Sequence, residues 1–389
     1  MRTPRELYFS LDEYQARLDA LRSRMEANGL DVLLIHTPEN LYYISGYQTP
    51  GYYWYQTLIV PVDAEPIFIT RSVEETNVEG LTWVEDSRPY TDNDDFIART
   101  AEALRTLKVA DKRIGLEHDS WFFTPRDFLR LTTMLPNATI KDCSGLVEQG
   151  RMIKSPQELE YIRMAAKTAD AAMAAGINAT KAGANENEIA AAVHTAQILA
   201  GSEYTGLPLF ITAGKRADLA HATWYRKTVE NNAVMFFELV GCIHRYHASL
   251  FRAVYVGEPP DEVIKAAEVG IETLEMAKDF IKPGIRCGDV HALIQGNIST
   301  KLGIGKSPVR AGYSIGIAFA PDWGEGQIIS FYMDDPRTLK PGMTFHLIPA
   351  VKIPNTGFTT SDTIAVNANG CETLTPFSPE NSTSSRVTV

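Results

Sequence analysis

The sequence of 389 residues changes character at one point, and this change restricts the fold more than any other feature. Before it, short apolar runs alternate with helical stretches, and after it, alanine-rich helices precede several β-rich runs. The change falls at Asp142–Lys154, directly before Ser155 and Pro156, which form a typical helix start with a serine cap and a first-turn proline. We therefore predict two domains, residues 1–150 and 151–389.

The first domain is predicted to be an α/β layer. Behind the Ser10 cap, apolar residues recur every three or four positions, which predicts an amphipathic helix at 10–28. The further predicted elements are strands at 31–36, 58–62, 66–70 and 114–116 and a helix at 95–107. Alternation of this kind is typical of an α/β domain.

The second domain is predicted to be α+β. Alanine-rich helical stretches, separated by turns with Gly or Pro, occupy 164–180, 186–200 and 262–281. Apolar runs rich in β-forming residues occupy 234–241, 249–257, 343–353 and 362–367. We expect the helices to pack on one sheet formed by these runs.

The overall charge of -11 argues against nonspecific nucleic-acid binding, which depends on clustered Lys and Arg. The first residues lack the apolar segment of a signal peptide, and no run approaches the roughly 18 apolar residues that span a bilayer. We therefore expect a cytoplasmic protein with neither a nucleic-acid nor a membrane partner.

Five segments carry a family resemblance: RMIKSPQELEYIRMAA, FFELVGCIHRYHASLFR, AGYSIGIAFAPDWGEG, PGMTFHLIPAVKIP and TTSDTIAVNANGCETLT. Their succession resembles the creatinase, prolidase and aminopeptidase P family over essentially the whole chain. The resemblance implies a creatinase-like N-terminal α/β domain and an α+β pita-bread C-terminal domain. In the latter, two helix pairs flank a curved antiparallel sheet that carries the active site.

Metallopeptidases of this family hold two metal ions with two Asp, one His and two Glu. By the resemblance, these positions correspond here to Glu238, Ser249, Tyr313, Ile348 and Ser361. Isoleucine cannot ligate a metal, and neutral hydroxyls offset little of the cost of dehydrating a divalent ion. We expect no metal and no other cofactor.

The family also contains creatinase, a metal-free hydrolase in which a histidine transfers protons. The corresponding residue is His221, and an imidazole titrates near neutrality, so it can deprotonate a water and protonate a leaving nitrogen. We predict His221 as the catalytic acid and base, although a histidine before a strand is often structural. His247 and His346 are the alternatives for this role and are otherwise assigned to the substrate pocket.

Three acids are candidates for holding a planar cation through charge-assisted hydrogen bonds: Glu238, Asp322 and Glu325. Glu238 lies in an apolar strand, where an unpartnered carboxylate is costly, and it is therefore predicted to be functional. Asp322 and Glu325 could equally be solvated turn residues. The glutamates that hold the guanidinium in creatinase correspond to Phe251 and Ile348, so the substrate should differ from creatine.

Aromatic residues supply a second indication of a cationic ligand. Tyr52 and Trp54 lie in a Gly- and Pro-containing loop of the first domain, and Tyr313 and Trp323 lie in the motifs of the second. Their rings can attract delocalised cations, although core or interface positions are equally compatible. In relatives, this loop region can reach a neighbouring subunit's active site, so the resemblance implies a homodimer with this loop near the partner's site.

The segments NLYYISGYQTPGYYWYQ, TWVEDSRPY, HASLF and GYSIGIAFAPDWGEG resemble those of a family member that opens a cyclic amidine ring. This resemblance implies a metal-free hydrolase that opens the ring of a small zwitterionic cyclic amidine. His221 would activate water, Glu238 would hold the cation with Asp322 or Glu325, and Tyr313 would donate to the intermediate. The alternatives are an Xaa-Pro metallopeptidase, a creatinase-like enzyme for another amidine or guanidine, and a binding module without activity.

Overall fold

A computed structural model describes residues 1–351 and 359–377, and residues 352 and 353 of one predicted strand lie outside these ranges. The chain divides into two compact units, Met1–Arg151 and Met152–Val389. In the described part of the chain, no helix is both long enough and apolar enough to cross a bilayer.

The first unit contains a six-stranded mixed sheet with strand order β4-β3-β2-β1-β5-β6. Its strands are β1 (Val32–Ile35), β2 (Thr57–Pro61), β3 (Ile67–Ile69), β4 (Asp86–Ser87), β5 (Arg113–Leu116) and β6 (Thr139–Asp142). Its helices are α1 (Leu11–Ala27), α2 (Pro38–Ser45), α3 (Glu75–Leu81), α4 (Phe96–Thr106), α5 (Pro125–Met134) and α6 (Glu148–Arg151), with a 3-10 turn at Ser72–Glu74.

Side-chain caps explain where the predicted helices of this unit begin. The hydroxyl of Ser10 accepts the backbone N–H of Glu13 at the start of α1. The carboxylate of Asp95 accepts two backbone N–H groups at the start of α4. Each cap satisfies donors that the first helical turn leaves open. The predicted α/β character of this unit is therefore found in the structure.

Within 152–351 and 359–377, the second unit has two helix pairs and two small antiparallel sheets. Its helices are α7 (Pro156–Ala179), α8 (Glu186–Leu199), α9 (Asp261–Phe280) and α10 (Cys287–Leu302), with a 3-10 turn at Gly214–Asp218. One sheet is formed by β7 (Phe210–Ala213), β8 (Ala233–Ile243) and β9 (Tyr246–Val256). The other is formed by β10 (Gly312–Ser314), β11 (Thr344–Leu347), β12 (Asp362–Val366) and β13 (Cys371–Thr373).

The packing of β8 and β9 determines which face of the first sheet remains available for a site. The two strands form a hairpin whose turn residues, His244 and Arg245, have φ values of 47° and 63°, as tight hairpins require. At Gly241, a Cβ would lie only 2.0 Å from the carbonyl oxygen of Ala165 in α7. One face of β8 is thus covered by α7, and its alternate residues point to the opposite face.

A bridge between Phe251 of β9 and Ser361, directly before β12, joins the two sheets. The backbone N–H of Phe251 also donates to the Ser361 hydroxyl over 2.8 Å. The joined sheets therefore form one surface to which β8, β9, β10 and β11 all contribute side chains.

Candidate active site

Glu238 lies at the centre of this surface. It is directly opposite Phe210 of β7 and Phe251 of β9 in the antiparallel registers. Residues that face each other across such strands have side chains on the same face of the sheet. The carboxyl group is therefore flanked by an aromatic ring on each side.

A continuous set of contacts connects these two phenylalanines through the second sheet. Phe210 packs against Trp323 with ring centroids 5.1 Å apart, and Phe251 packs edge-on against His346 at 4.7 Å. Tyr313 extends this set of contacts, because it lies opposite His346 in the register of β10 and β11. We call Phe210, Phe251, Tyr313, Trp323 and His346 the aromatic box around Glu238.

Four side chains of this region form a hydrogen-bonded chain, which we call the relay. The Trp323 indole N–H donates to the Tyr313 hydroxyl over 3.0 Å, and that hydroxyl is 2.9 Å from Nδ1 of His346. Nε2 of His346 is 2.6 Å from the Ser361 hydroxyl. Burial, followed by the positive charges of Arg310 and Arg252, lowers the pKa of His346 to about 3. His346 is therefore neutral at physiological pH, and one of its ring nitrogens accepts a hydrogen bond from a neighbouring hydroxyl.

Glu238 differs from its surroundings in having no hydrogen-bond or ion-pair partner among residues 1–351 and 359–377. Burial, and then the negative charge of Asp322, raises its pKa well above the ordinary glutamate value. Burial and the charge of Glu238 likewise raise the pKa of the Tyr313 hydroxyl. A carboxyl group in this position gains most from a cation brought in by a ligand, because the part of the chain that the structure describes supplies none.

His221 lies at the edge of the aromatic box and is exposed to solvent. Its ring is 5.4 Å from that of Phe210, the residue opposite Glu238. Its φ of 58° is in the left-handed region that residues with a side chain seldom adopt, and such conformations are common in functional sites. The structure thus places the predicted catalytic histidine one aromatic ring away from the predicted catalytic acid.

The other two predicted acids differ from each other. Asp322 accepts the backbone N–H groups of Trp323 and Gly324 through one oxygen and raises the pKa of Glu238, so it lies near the box. Glu325 is buried in an ion pair with Lys154, with 2.7 Å between Nζ and Oε2, and both side chains are 1% exposed. Because the Glu325 carboxylate is already paired with Lys154, we leave it out of the substrate site.

Both ring nitrogens of His247 also form hydrogen bonds within the protein, in this case to backbone groups. Its Nδ1 is 2.9 Å from the carbonyl oxygen of Arg245, and its Nε2 accepts the backbone N–H of Gly206 over 3.2 Å. Burial lowers its pKa well below the usual histidine value. Because both ring nitrogens are used within the fold, His247 is a poor candidate for proton transfer.

The predicted aromatic residues of the first unit lie in the loop between α2 and β2. Tyr52 packs edge-on against Phe122, with ring centroids 5.4 Å apart. Trp54 is 45% exposed, and the guanidinium of Arg71 lies 4.4 Å from its ring centre. Both residues therefore belong to an accessible aromatic surface of this unit.

The residues present do not fit a pair of divalent metal ions. The positions that the resemblance assigned to metal ligands hold Glu238, Ser249, Tyr313, Ile348 and Ser361. The hydroxyl of Ser249 donates to the Leu239 carbonyl oxygen, and those of Tyr313 and Ser361 bond to His346. Within the described ranges, no three His, Cys, Asp or Glu side chains are grouped as a metal site would require.

Sequence reasoning missed Phe210 as a site residue and noted Phe251 only as the replacement of a creatinase glutamate. Both follow from the strand register, since each lies directly opposite Glu238. A four-residue strand such as β7 has too short an apolar run to be recognised by periodicity.

Comparison with known proteins places this site in a family. Residues 160–368 match the model of metallopeptidase family M24, and residues 17–153 match that of the creatinase/prolidase N-terminal domain. The chain belongs to the M24 family. The name of the family refers to metallopeptidases, whereas the residues described above do not form a cluster of carboxylate and histidine ligands.

Two curated proteins are similar to this chain over nearly their whole length. An uncharacterized hydrolase/peptidase, y4tM, of Sinorhizobium fredii is 35% identical, with 95% of this chain and 97% of the relative covered. Ectoine hydrolase of Halomonas elongata is 30% identical, with 95% of this chain and 97% of the relative covered. The predicted likeness to ectoine hydrolase, and with it the prediction of a hydrolase, is confirmed.

A solved M24 structure shows the same fold. The prolidase of Pyrococcus horikoshii OT3 superposes with a TM-score of 0.82 at 22% identity, covering 93% of this chain and 99% of the prolidase. The predicted creatinase-like N-terminal domain and pita-bread C-terminal domain are therefore confirmed.

Proposed function

We propose that this chain is a metal-independent hydrolase that opens the cyclic amidine ring of ectoine, with hydroxyectoine as a second candidate substrate. The product would be an N-acetylated 2,4-diaminobutyrate, and the reaction would serve compatible-solute catabolism in the cytoplasm, as predicted from the sequence. Similarity to ectoine hydrolase over 95% of the chain supports this substrate.

The observation that carries the proposal is the carboxyl group of Glu238 inside the aromatic box. Ectoine combines a flat ring amidinium with a carboxylate. A flat cation can stack against the rings of Phe210, Phe251 and Tyr313 while its N–H groups donate to Glu238. Binding of the cation would favour the ionised form of Glu238 and offset the cost of burying the carboxylate.

His221 has the exposure that activation of a water molecule requires. In the proposed reaction, His221 removes a proton from water, and the resulting hydroxide attacks the carbon between the two ring nitrogens. The histidinium then protonates the departing nitrogen, which opens the ring. The amidinium carbon is already electrophilic, so the attack needs no metal.

Tyr313 is proposed to donate a hydrogen bond to the developing intermediate. Its oxygen accepts the Trp323 N–H. When Nδ1–H of His346 also donates to this oxygen, the phenolic hydrogen is free to point into the box. The relay would thereby orient a neutral donor toward the oxygen that is added to the reacting carbon, in the manner of an oxyanion hole.

We propose in addition that the chain acts as a homodimer in which Tyr52 and Trp54 of one subunit lie near the active site of the other. Tyr53 and Trp54 are 74% and 45% exposed, which is unusual for large aromatic residues unless a partner covers them. Light scattering of wild type and of a Tyr53→Ser/Trp54→Ser variant tests this proposal. A monomeric wild type contradicts it.

The decisive experiment is incubation of the purified protein with ectoine in the presence of a strong chelator, with mass spectrometry of the products. We expect one water to be added to ectoine at an undiminished rate. A rate restored only by Mn²⁺, Co²⁺ or Zn²⁺, or cleavage of an Xaa-Pro dipeptide instead, would identify a metallopeptidase. Tight binding of ectoine without turnover would identify a binding module.

A further inference from the structure

Arg310 is distinguished from the other sheltered arginines of the second unit by its lack of a carboxylate partner. The buried or half-buried arginines Arg163, Arg216, Arg245 and Arg252 each have a carboxylate oxygen within 4.0 Å. Arg310 is half-buried as well, yet within the described part of the chain no carboxylate lies within this distance. Its positive charge is therefore not neutralised by the fold.

The guanidinium of Arg310 is nevertheless held in a defined place. It lies 4.3 Å from the ring centre of Tyr313, and Nη1 is 3.5 Å from the Ser330 hydroxyl. A Cβ at Gly326 would come within 2.0 Å of Nη1, so this position accepts the guanidinium only because it is glycine. Stacking on an aromatic ring fixes the plane of the guanidinium and leaves its N–H groups directed outward from the ring.

Arg310 and Glu238 act on the aromatic box with opposite charges. The charge of Glu238 adds to burial in raising the pKa of Tyr313, and the charge of Arg310 opposes both. After burial, Arg310 also makes the largest contribution to the low pKa of His346. Tyr313 therefore lies near a carboxyl group and a guanidinium, and neither has an oppositely charged partner among the described residues. Two unpaired charges of opposite sign around one ring are complementary to a ligand that carries both charges.

We propose that Arg310 binds the carboxylate of the substrate, so that the site selects a zwitterionic cyclic amidine over a cyclic amidinium without an acid group. The proposal rests on the proposed function and adds a specificity-determining residue to it. Among residues 1–351 and 359–377, the guanidinium makes one long hydrogen bond, to Ser330. Two parallel N–H donors therefore remain for a bidentate carboxylate, an arrangement that lysine cannot reproduce.

The test compares ectoine with 2-methyl-1,4,5,6-tetrahydropyrimidine, the same ring without the carboxylate, on wild type, Arg310→Met and Arg310→Lys. For ectoine, we expect Arg310→Met to raise KM by about 10- to 100-fold, which corresponds to the loss of a charged hydrogen-bonded contact. Arg310→Lys should raise it less. For the ring without a carboxylate, the variants should match wild type. Arg163→Met, which removes an arginine already paired with Glu372, is the matched control and should leave both substrates unaffected.

The possible outcomes separate the two proposals. If wild type hydrolyses ectoine and Arg310→Met keeps its KM, the role of Arg310 is refuted while the function stands. The same holds if wild type hydrolyses both compounds equally well. If wild type neither binds nor hydrolyses either compound, the proposed function fails, and the role of Arg310 fails with it. Should circular dichroism show that Arg310→Met is unfolded, the ratio of the two substrates for Arg310→Lys decides in its place.

Discussion

Each unit of the molecule contains a buried glutamate with a raised pKa, but the two glutamates differ in the hydrogen bonds that they accept. In the first unit, Glu117 accepts the backbone N–H groups of His36 and Thr37 and the side-chain amide of Asn40. The same amide donates to Glu148, and its oxygen accepts Arg151. In the second unit, Glu238 has no such donors in the described ranges.

The difference separates an acid whose oxygens are satisfied within the fold from one that remains available to a ligand. Burial, followed by the charge of Glu148, raises the pKa of Glu117 to about 8, yet three donors satisfy its oxygens. Burial and the charge of Asp322 raise the pKa of Glu238 without compensation inside the protein. A raised pKa is therefore common to both regions, and Glu238 combines it with a lack of donors among the described residues and a position inside the aromatic box.

Replacement of Glu238 by Gln should have the largest effect. We expect kcat/KM for ectoine to fall by about 10³-fold, because the neutral amide cannot stabilise the bound cation and its transition state. The melting temperature should stay equal or rise, since the variant removes an unpaired carboxyl group from a sheltered site. Steady-state kinetics and calorimetry of one preparation measure both quantities.

Glu325→Gln provides the structural counterpart to this variant. It leaves Lys154 buried without its counter-charge, and breaking such a pair costs about 3–5 kcal/mol of stability. If Glu238→Gln were destabilised to a similar extent while keeping its activity, Glu238 would belong with the structural acids.

His221→Gln should reduce kcat by about 10²-fold, at the lower end for loss of an acid–base group, since solvent can partly replace an exposed imidazole. His118→Gln in the first unit is the matched control. His118 is also exposed, and its ring lies 5.3 Å from that of Phe128, as that of His221 lies 5.4 Å from Phe210. Equal activities of the two variants would exclude His221 as the catalytic residue.

Local chemistry explains how far the fold could be predicted from the sequence. The predicted caps at Ser10 and Ser155 gave the starts of α1 and α7 correctly, because capping is decided within three residues. Helix α10 (Cys287–Leu302) was missed: its N-terminus has no side-chain cap and its apolar residues show weak periodicity. The pairing of β10 with β11 depends on residues about thirty positions apart, which no local pattern reveals.

The candidate site shows the same limit. The motif positions led to Glu238 and His221, and the structure brings both to Phe210. The ion pair of Glu325 joins residues 171 positions apart, so a turn acid and a buried partner of Lys154 cannot be distinguished in the sequence. The relay likewise requires the strand register before the role of His346 can be recognised.

His346→Gln should have a moderate effect that separates positioning from structure. Glutamine keeps a polar group but cannot bridge Tyr313 and Ser361 as the imidazole does, so kcat should fall by about 10-fold, the value of one hydrogen bond. KM should change little, because Glu238 and the rings still hold the substrate. Nitrogen chemical shifts of labelled histidine should show a neutral ring down to about pH 4, since burial lowers its pKa to about 3. A His346 that becomes charged near pH 6 would contradict the relay.

The smallest expected effect is a pH dependence of stability caused by Glu117, the acid whose oxygens accept three hydrogen bonds. Its pKa is raised to about 8, so between pH 4.5 and 8 the folded state binds a proton that the unfolded chain releases. Stability of the first unit should therefore fall as pH rises through this window. His36 acts in the opposite direction, but only below its usual pKa of 6.5, because burial lowers its folded value to about 4. The range from pH 6.5 to 8 thus isolates Glu117.

In that range, amide protection of β1 and β5 in the full-length protein, corrected for intrinsic exchange, should fall by about tenfold, since a proton difference of one over one pH unit is worth about 1.4 kcal/mol. Glu117→Gln, which is permanently neutral, should abolish this fall, although Gln cannot accept all three donors with one oxygen and lowers stability by about 1–2 kcal/mol at every pH. Glu238→Gln should leave the slope in the first unit as it is in wild type. If the slope persisted in Glu117→Gln, Glu117 would already be ionised at pH 6.5, and its three hydrogen bonds would outweigh its burial.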